Sequence, residues 1–264
     1  MIKTSLIHFS TIDMNASFFT PAIAFAAVSF FLGELGDGLN IFQGIYLVNI
    51  GWNESAIGIA LSLMGFTALV CQTFAGDFID KTSLDRRTII VVAATMTACS
   101  ALAVLFVREG NQDHMLMYIT KVVEGLASSF IAPCLAALTM ALFGPHEFDT
   151  VMANNTVWGH IGSAISAILA GGLAFIFYPK INIFFYVIGL SALCAIICVK
   201  FIPEGDQLMG RGFHSSKQNE SEESKMFEGK FTGTQSEMPK AASYLSVMLE
   251  PKTLILCITG FFFQ

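Results

Sequence analysis

Six apolar stretches, at about 21–48, 55–74, 88–107, 115–143, 151–178 and 183–202, each run for twenty residues or more with few charges; a seventh begins near Thr253 and runs to Gln264. A helix needs about 20 such residues to cross the hydrocarbon core of a bilayer. Buried helices of a large soluble protein would be shorter or would keep a charged face, and these stretches have none. The sequence therefore reads as an all-α, polytopic membrane bundle, with six transmembrane helices in a 3+3 repeat and the start of a seventh.

Composition enters as a check. Only 13% of the 264 residues are charged and the mean hydropathy is +0.66, whereas soluble domains carry about 25% charged residues. A net charge of −6 argues against nucleic acid as a partner, because phosphate binding needs clustered Lys and Arg. All six cysteines fall inside apolar runs, where cysteine serves as a small hydrophobe rather than as part of a disulfide framework. Cys194 and Cys198 share a helical face, but two thiols without His or carboxylate make a poor metal site. No metal or cofactor is expected.

Orientation follows from Lys and Arg. With the N-terminus inside, one side collects Lys3, Lys81, Arg86, Arg87, Lys200, Arg211, Lys217, Lys225, Lys230, Lys240 and Lys252, and the other keeps Arg108 and Lys180. The short charged segment 81–87 decides the matter and places the cytoplasm on its side. Residues 1–20 lack a signal-peptide pattern and read as a cytoplasmic tail. Residues 203–250 are rich in Ser, Glu, Lys and Gly. They read as a cytoplasmic central loop, largely disordered because it cannot bury enough apolar surface to offset its ordering entropy. Within it, 241–249 has the spacing of a short surface helix or a bare linker. Residues 251–264 then start the seventh helix.

Ionisable groups at membrane depth are costly and are functional candidates by default. Glu34 and Asp37 lie three apart in the first span, with Asn40 and Gln43 continuing the stripe. They are expected to face an interior cavity; a protonated or paired Asp37 that only locks helix packing is the alternative. Lys121 and Glu124 in the fourth span are again three apart and can pair. Gly125, Ala127, Ser128 and Ser129 follow as a close-packing surface, and Pro133 should bend that helix. The fifth span holds Asn154, Asn155 and His160 beside a stripe of Gly159, Gly162, Ser163, Ser166, Ala170 and Gly171. His160 is either a proton carrier or a hydrogen-bonded packing residue. The match of Glu34-x-x-Asp37-Gly38-Leu39 to Lys121-x-x-Glu124-Gly125-Leu126 predicts that the first and fourth helices flank one cavity.

Gly76-x-x-x-Asp80-Lys81, followed by Arg86-Arg87, resembles the cytoplasmic loop motif between the second and third helices of the major facilitator superfamily. Ser83 stands where that family has a second Gly, and the basic pair falls two residues late. Lys121-x-x-Glu124-Gly125 resembles the family's fourth-helix Arg-x-x-Gln-Gly pattern. The fifth helix's glycine stripe resembles the antiporter motif without its Gly-Pro pair. The resemblance covers about residues 21–264. It implies an N-terminal six-helix half plus the start of a C-terminal half, transporting a small solute by alternating access. Read physically, Gly76 lets a helix end pack closely, and Asp80 can pair with Arg86 or Arg87. Those contacts would latch one conformation, or the segment is a plain positive anchor.

Three function classes are weighed. The first is a secondary transporter, proton-coupled, with Glu34, Asp37 and Glu124 lining the cavity, partnered by a small solute, protons, the bilayer and a missing C-terminal half or second copy. The cavity residues suit a cationic or amphipathic solute better than a sugar. A non-transporting receptor or scaffold is the second. An intramembrane aspartyl protease is the third, and Leu35 before Gly36-Asp37 breaks its pattern, so the chain is read as a non-enzyme. An incomplete chain is expected, since alternating access needs two bundles.

Overall fold

The computed structural model describes residues 21–33, 35, 40–109, 113–178, 181–203, 205 and 210. Among them every regular element is helical. The helices are α1 (Pro21–Gly33), α2 (Asn40–Asn49), α3 (Glu54–Lys81), α4 (Arg86–Ala103), α5 (His114–Ser128), α6 (Ile131–Ile176) and α7 (Phe185–Val199), with short 3-10 turns at Val104–Phe106 and Ile181–Phe184. Four stretches are long and apolar enough to cross a bilayer: Glu54–Lys81, Arg86–Phe106, His114–Ile176 and Asn182–Val199. The third, at 63 residues, is long enough for two crossings.

It divides at Gly144. That residue has φ 71° and ψ 177°, outside any helix, and Pro145 follows it. Glycine alone adopts this φ without a Cβ penalty, and Pro145 suits the first position of a renewed helix because its missing N–H has no partner to lose there. Ring contacts trace the reversal. Phe143 meets Phe25 of α1 with ring centroids 5.7 Å apart. Further along, Ser163 Oγ donates to the Gly33 carbonyl at 2.7 Å, so α1 and the second arm of α6 run side by side in the same direction.

The first arm of the third stretch contains a second interruption, just before Pro133. α5 ends at Ser128 and α6 begins at Ile131, so the break falls at Ser129–Phe130. Pro133 lies four residues after Ser129, whose carbonyl its missing N–H cannot bond and its ring would crowd, so the helix is interrupted where the sequence expects the bend.

The surface is apolar and the interior holds the polar groups. α3 exposes Ile59, Phe66, Leu69, Val70 and Phe74, while Lys121, Glu124, Gln43 and Arg86 are buried. Helix contacts rely on small residues. A Cβ on Gly162 would overlap the Phe30 carbonyl, and one on Gly125 would overlap the Met64 carbonyl. The α1–α6 and α3–α5 pairs thus approach backbone to backbone, as membrane helices do when dispersion rather than hydrophobicity drives them together. On α4 the buried face is Ala93, Ala94, Thr97, Ala98 and Ala101.

The two ends differ. At one end, Trp52 Nε1 donates to the Arg108 carbonyl at 2.8 Å and its ring packs edge-on to His114 at 5.0 Å. Phe184 and Phe185 stack at 4.3 Å and meet Phe42 and Tyr46. At the other end, Arg87 Nη1 donates to the Ile202 carbonyl at 3.0 Å, tying the start of α4 to the chain leaving α7.

Candidate functional site

The buried face of α5 is Met117, Thr120, Lys121, Glu124 and Gly125, the spacing of one helical stripe. Its opposite face carries the exposed Met115, Ile119 and Leu126. Lys121 and Glu124 therefore point inward, and they meet at 2.7 Å as an ion pair. Gln43, one turn before the fully buried Leu47 on α2, closes the group. Its Nε2 donates to Glu124 Oε1 at 3.2 Å, and its Oε1 accepts from Lys121 Nζ. Lys121, Glu124 and Gln43 are 0%, 3% and 2% exposed.

Both carboxylate oxygens of Glu124 and the Gln43 carbonyl oxygen are thus engaged, and Lys121 donates twice. The cluster is electroneutral and hydrogen-bonded, the condition under which buried charges are tolerated. It joins the first crossing of the bundle to the fourth. Beside it, Ser100 Oγ donates to the Thr120 carbonyl and holds α4 against the same helix.

The other sequence candidates scatter. Glu34 and Asp37 lie outside the described residues, as does the side chain of Asn40. His160 is exposed on α6, and Asn154 is exposed with it. Asn155 is buried at 6% exposure, with neither amide atom hydrogen-bonded among the described residues. The glycine stripe is the contact surface for α1 and α2: Gly159 lies against the Gly33 position and Gly162 against Phe30 of α1, and Gly171 beside Phe42 of α2.

The charged segment is largely helix rather than loop. Gly76, Asp80 and Lys81 occupy the last turns of α3, and only Thr82–Asp85 separates it from α4. The i,i+4 register inside a helix explains why Lys81 pairs with Asp77 at 2.7 Å. Asp85, which the sequence reading passes over, organises the basic pair. Its side chain accepts from the Arg87 backbone N–H at 3.0 Å, capping α4, and pairs with the Arg87 guanidinium at 2.7 Å. An Asp immediately before a helix start is the signal that identifies such a cap. Burial pushes the Asp85 carboxyl up, but the hydrogen bonds and charge of Arg87, with Arg86 behind, outweigh that and hold it below its ordinary value. Arg86 is buried, with its guanidinium against the Gly210 position. Around Gly76 a Cβ would meet nothing within 4 Å, so this glycine makes no close approach to another described residue.

An all-helical bundle with an apolar surface, an internal ion pair and charges gathered at one end is a polytopic integral membrane protein. The family model for the Major Facilitator Superfamily matches residues 11–264. An uncharacterized MFS-type transporter of Mycobacterium tuberculosis, recorded in two strains, is 30% identical over 193 residues, which is 72% of this chain and 45% of the relative. The multidrug resistance protein MdtH of Baumannia cicadellinicola is 25% identical over 173 residues, 56% of this chain and 40% of that protein. The chain belongs to the major facilitator superfamily, and it spans less than half the length of these relatives.

Proposed function

We propose that the whole protein moves a small solute across the membrane by alternating access, coupled to protons, with Gln43, Lys121 and Glu124 at the centre of the pathway in this half. The observation that carries the reading is the buried ion pair bridged by Gln43 between α2 and α5. A neutral helix contact would not require two desolvated charges. In this reading Glu34, Asp37 and Asn40 extend the pathway along the first crossing, and His160 borders it on α6. Protonation of Glu124 frees Lys121 and Gln43, so the loaded and empty states differ in what holds α2 to α5. The solute is cationic or amphipathic, a reading supported by the carboxylates; the relative named as a multidrug resistance protein fits a transported drug.

Residues 21–202 form one half and 251–264 begin the other. The Arg87 end, the N-terminus and the 203–250 loop face the cytoplasm, as the bias of Lys and Arg supports. Gly76, with open space around it, and the exposed Asp80 and Lys81 receive the second half, while Arg86 and Arg87 brace α4 within this one. The test is ethidium efflux from proteoliposomes holding the full-length protein under an imposed pH gradient. Glu124→Gln is expected to abolish pH-driven efflux and leave ethidium binding within about threefold, since the isostere keeps the side-chain volume and one acceptor oxygen for Lys121. Unchanged coupling in both Glu124→Gln and Asp37→Asn would sink the assigned roles.

A further inference from the structure

Two grooves flank the first turns of α4 at the Arg87 end, and Thr88 is a wall of both. The first, about 300 Å³, lies between α3, α4 and α5 and is lined by apolar side chains including Phe78, Leu84, Val92 and Phe130. The second, about 320 Å³, lies between α4 and α7 against Asp85, Arg87, Val91, Val199 and Lys200. Arg87 is paired with Asp85 and bonded to the Ile202 carbonyl. Lys200 is exposed and forms no ion pair among the described residues. Among the described residues that line this groove, two cations, Arg87 and Lys200, face one carboxylate, Asp85.

We propose that the two grooves together bind one anionic phospholipid of the surrounding bilayer. Its phosphate sits against Lys200 in the second groove, and one acyl chain passes Thr88 into the first. The chemistry on the two sides of Thr88 selects this occupant. A soluble anion would satisfy Lys200 and leave the Phe78–Phe130 groove unfilled. A zwitterionic lipid would fill that groove while bringing no net charge to the cationic one. Basic pockets between membrane helices, at the depth where headgroups lie, recognise anionic lipids through this combination. Thr88 and Leu84 put the mouth of the apolar groove at the charged end of the bundle, so headgroup and chain lie in the order a bilayer lipid requires.

The experiment is native mass spectrometry of the delipidated protein, titrated with phosphatidylglycerol, with phosphatidylcholine of the same chains, and with glycerol 3-phosphate. One phosphatidylglycerol is expected to bind in preference to phosphatidylcholine. Lys200→Gln should weaken it about fivefold, equivalent to about 1 kcal/mol, and Lys200→Arg should restore it. Leu126→Trp, which fills the apolar groove from an exposed position, should weaken phosphatidylglycerol with the melting temperature unchanged. Equal binding of the two lipids, or indifference to Lys200→Gln, overturns the proposal. Glycerol 3-phosphate binding as tightly as the lipid makes this a soluble-anion site instead. Dimers that Leu126→Trp abolishes make it an interface between two copies.

Discussion

Truncating Glu124 to Ala isolates the energetics of the buried cluster. The substitution removes both carboxylate oxygens, so Lys121, 0% exposed, loses its counter-charge and retains only Gln43 Oε1 as an acceptor. Breaking one side of a buried ion pair costs about 3–5 kcal/mol, because the remaining charge stays desolvated without compensation. The surviving Gln43 contact sets the expectation at the lower end, about 3 kcal/mol. At roughly 2–4 °C per kcal/mol for a bundle of this size, the melting temperature should fall by about 6–12 °C. Removing both charges together, as Lys121→Met with Glu124→Met, should recover most of that loss, since apolar replacement of a whole buried pair is close to neutral. The assay is thermal unfolding in detergent, followed by intrinsic fluorescence, for the wild type, both single variants and the double. Equal losses in Glu124→Ala and the double variant would refute the reasoning. The cost would then lie in losing the pair itself and the acceptor for Gln43 Nε2 rather than in an unpaired Lys121.

Three further outcomes follow from particular contacts. Gly162→Ala places a Cβ against the Phe30 carbonyl, so overpacking should lower stability by about 1–3 kcal/mol, while Gly172→Ala, with open space around it, should not; the same melts compare them. Gly144→Ala forces a Cβ into the φ 71° turn, at about 1–2 kcal/mol, and should also lengthen the fluorescence-quenching distance between labels on α1 and the second arm of α6. Asp85→Ala removes the cap of α4 and should cost about 1 kcal/mol at neutral pH. Because the Asp85 carboxyl is held below its ordinary value of 3.8, its contribution is present above that value and lost as the pH falls through the lower folded one. Melts taken from pH 7 down through pH 4 and below should therefore converge for wild type and variant.

The cluster was half legible before folding. Lys121 and Glu124 sit three apart, and any helix over that stretch brings them onto one face. Gln43 belonged to a polar stripe on the first span, but its contact with residues 78 and 81 positions away depends on how α2 packs against α5. His160 shows the limit in the other direction. A polar residue in an apolar run reads as an interior group, yet its place on α6 leaves it exposed, while its near neighbour Asn155 is buried. The side of a helix that faces a neighbour is set by close approaches such as Gly162 on Phe30. These are relations between distant segments that local spacing does not contain. The charged segment misled for a related reason, since Gly76 and Asp80 resemble a loop motif but α3 continues through Lys81 and leaves Thr82–Asp85 as the turn.

Hydrophobic run length and the scarcity of charge were enough to determine a helical membrane protein, and the Gly76–Arg87 and Lys121–Gly125 patterns carried the resemblance to its family. The first depends on the bilayer as solvent, which acts on each segment separately: about 20 apolar residues satisfy it wherever they occur. The break at Gly144-Pro145 already separated the stretches 115–143 and 151–178, and Asp85 ahead of Arg86 carried the signal of a local cap. Only the tertiary structure decided that Gln43 completes the Lys121–Glu124 pair, because that depends on a contact between helices. In lipid, such contacts come from shape-matched packing and exact hydrogen-bond partners, which hydrophobic pattern does not encode.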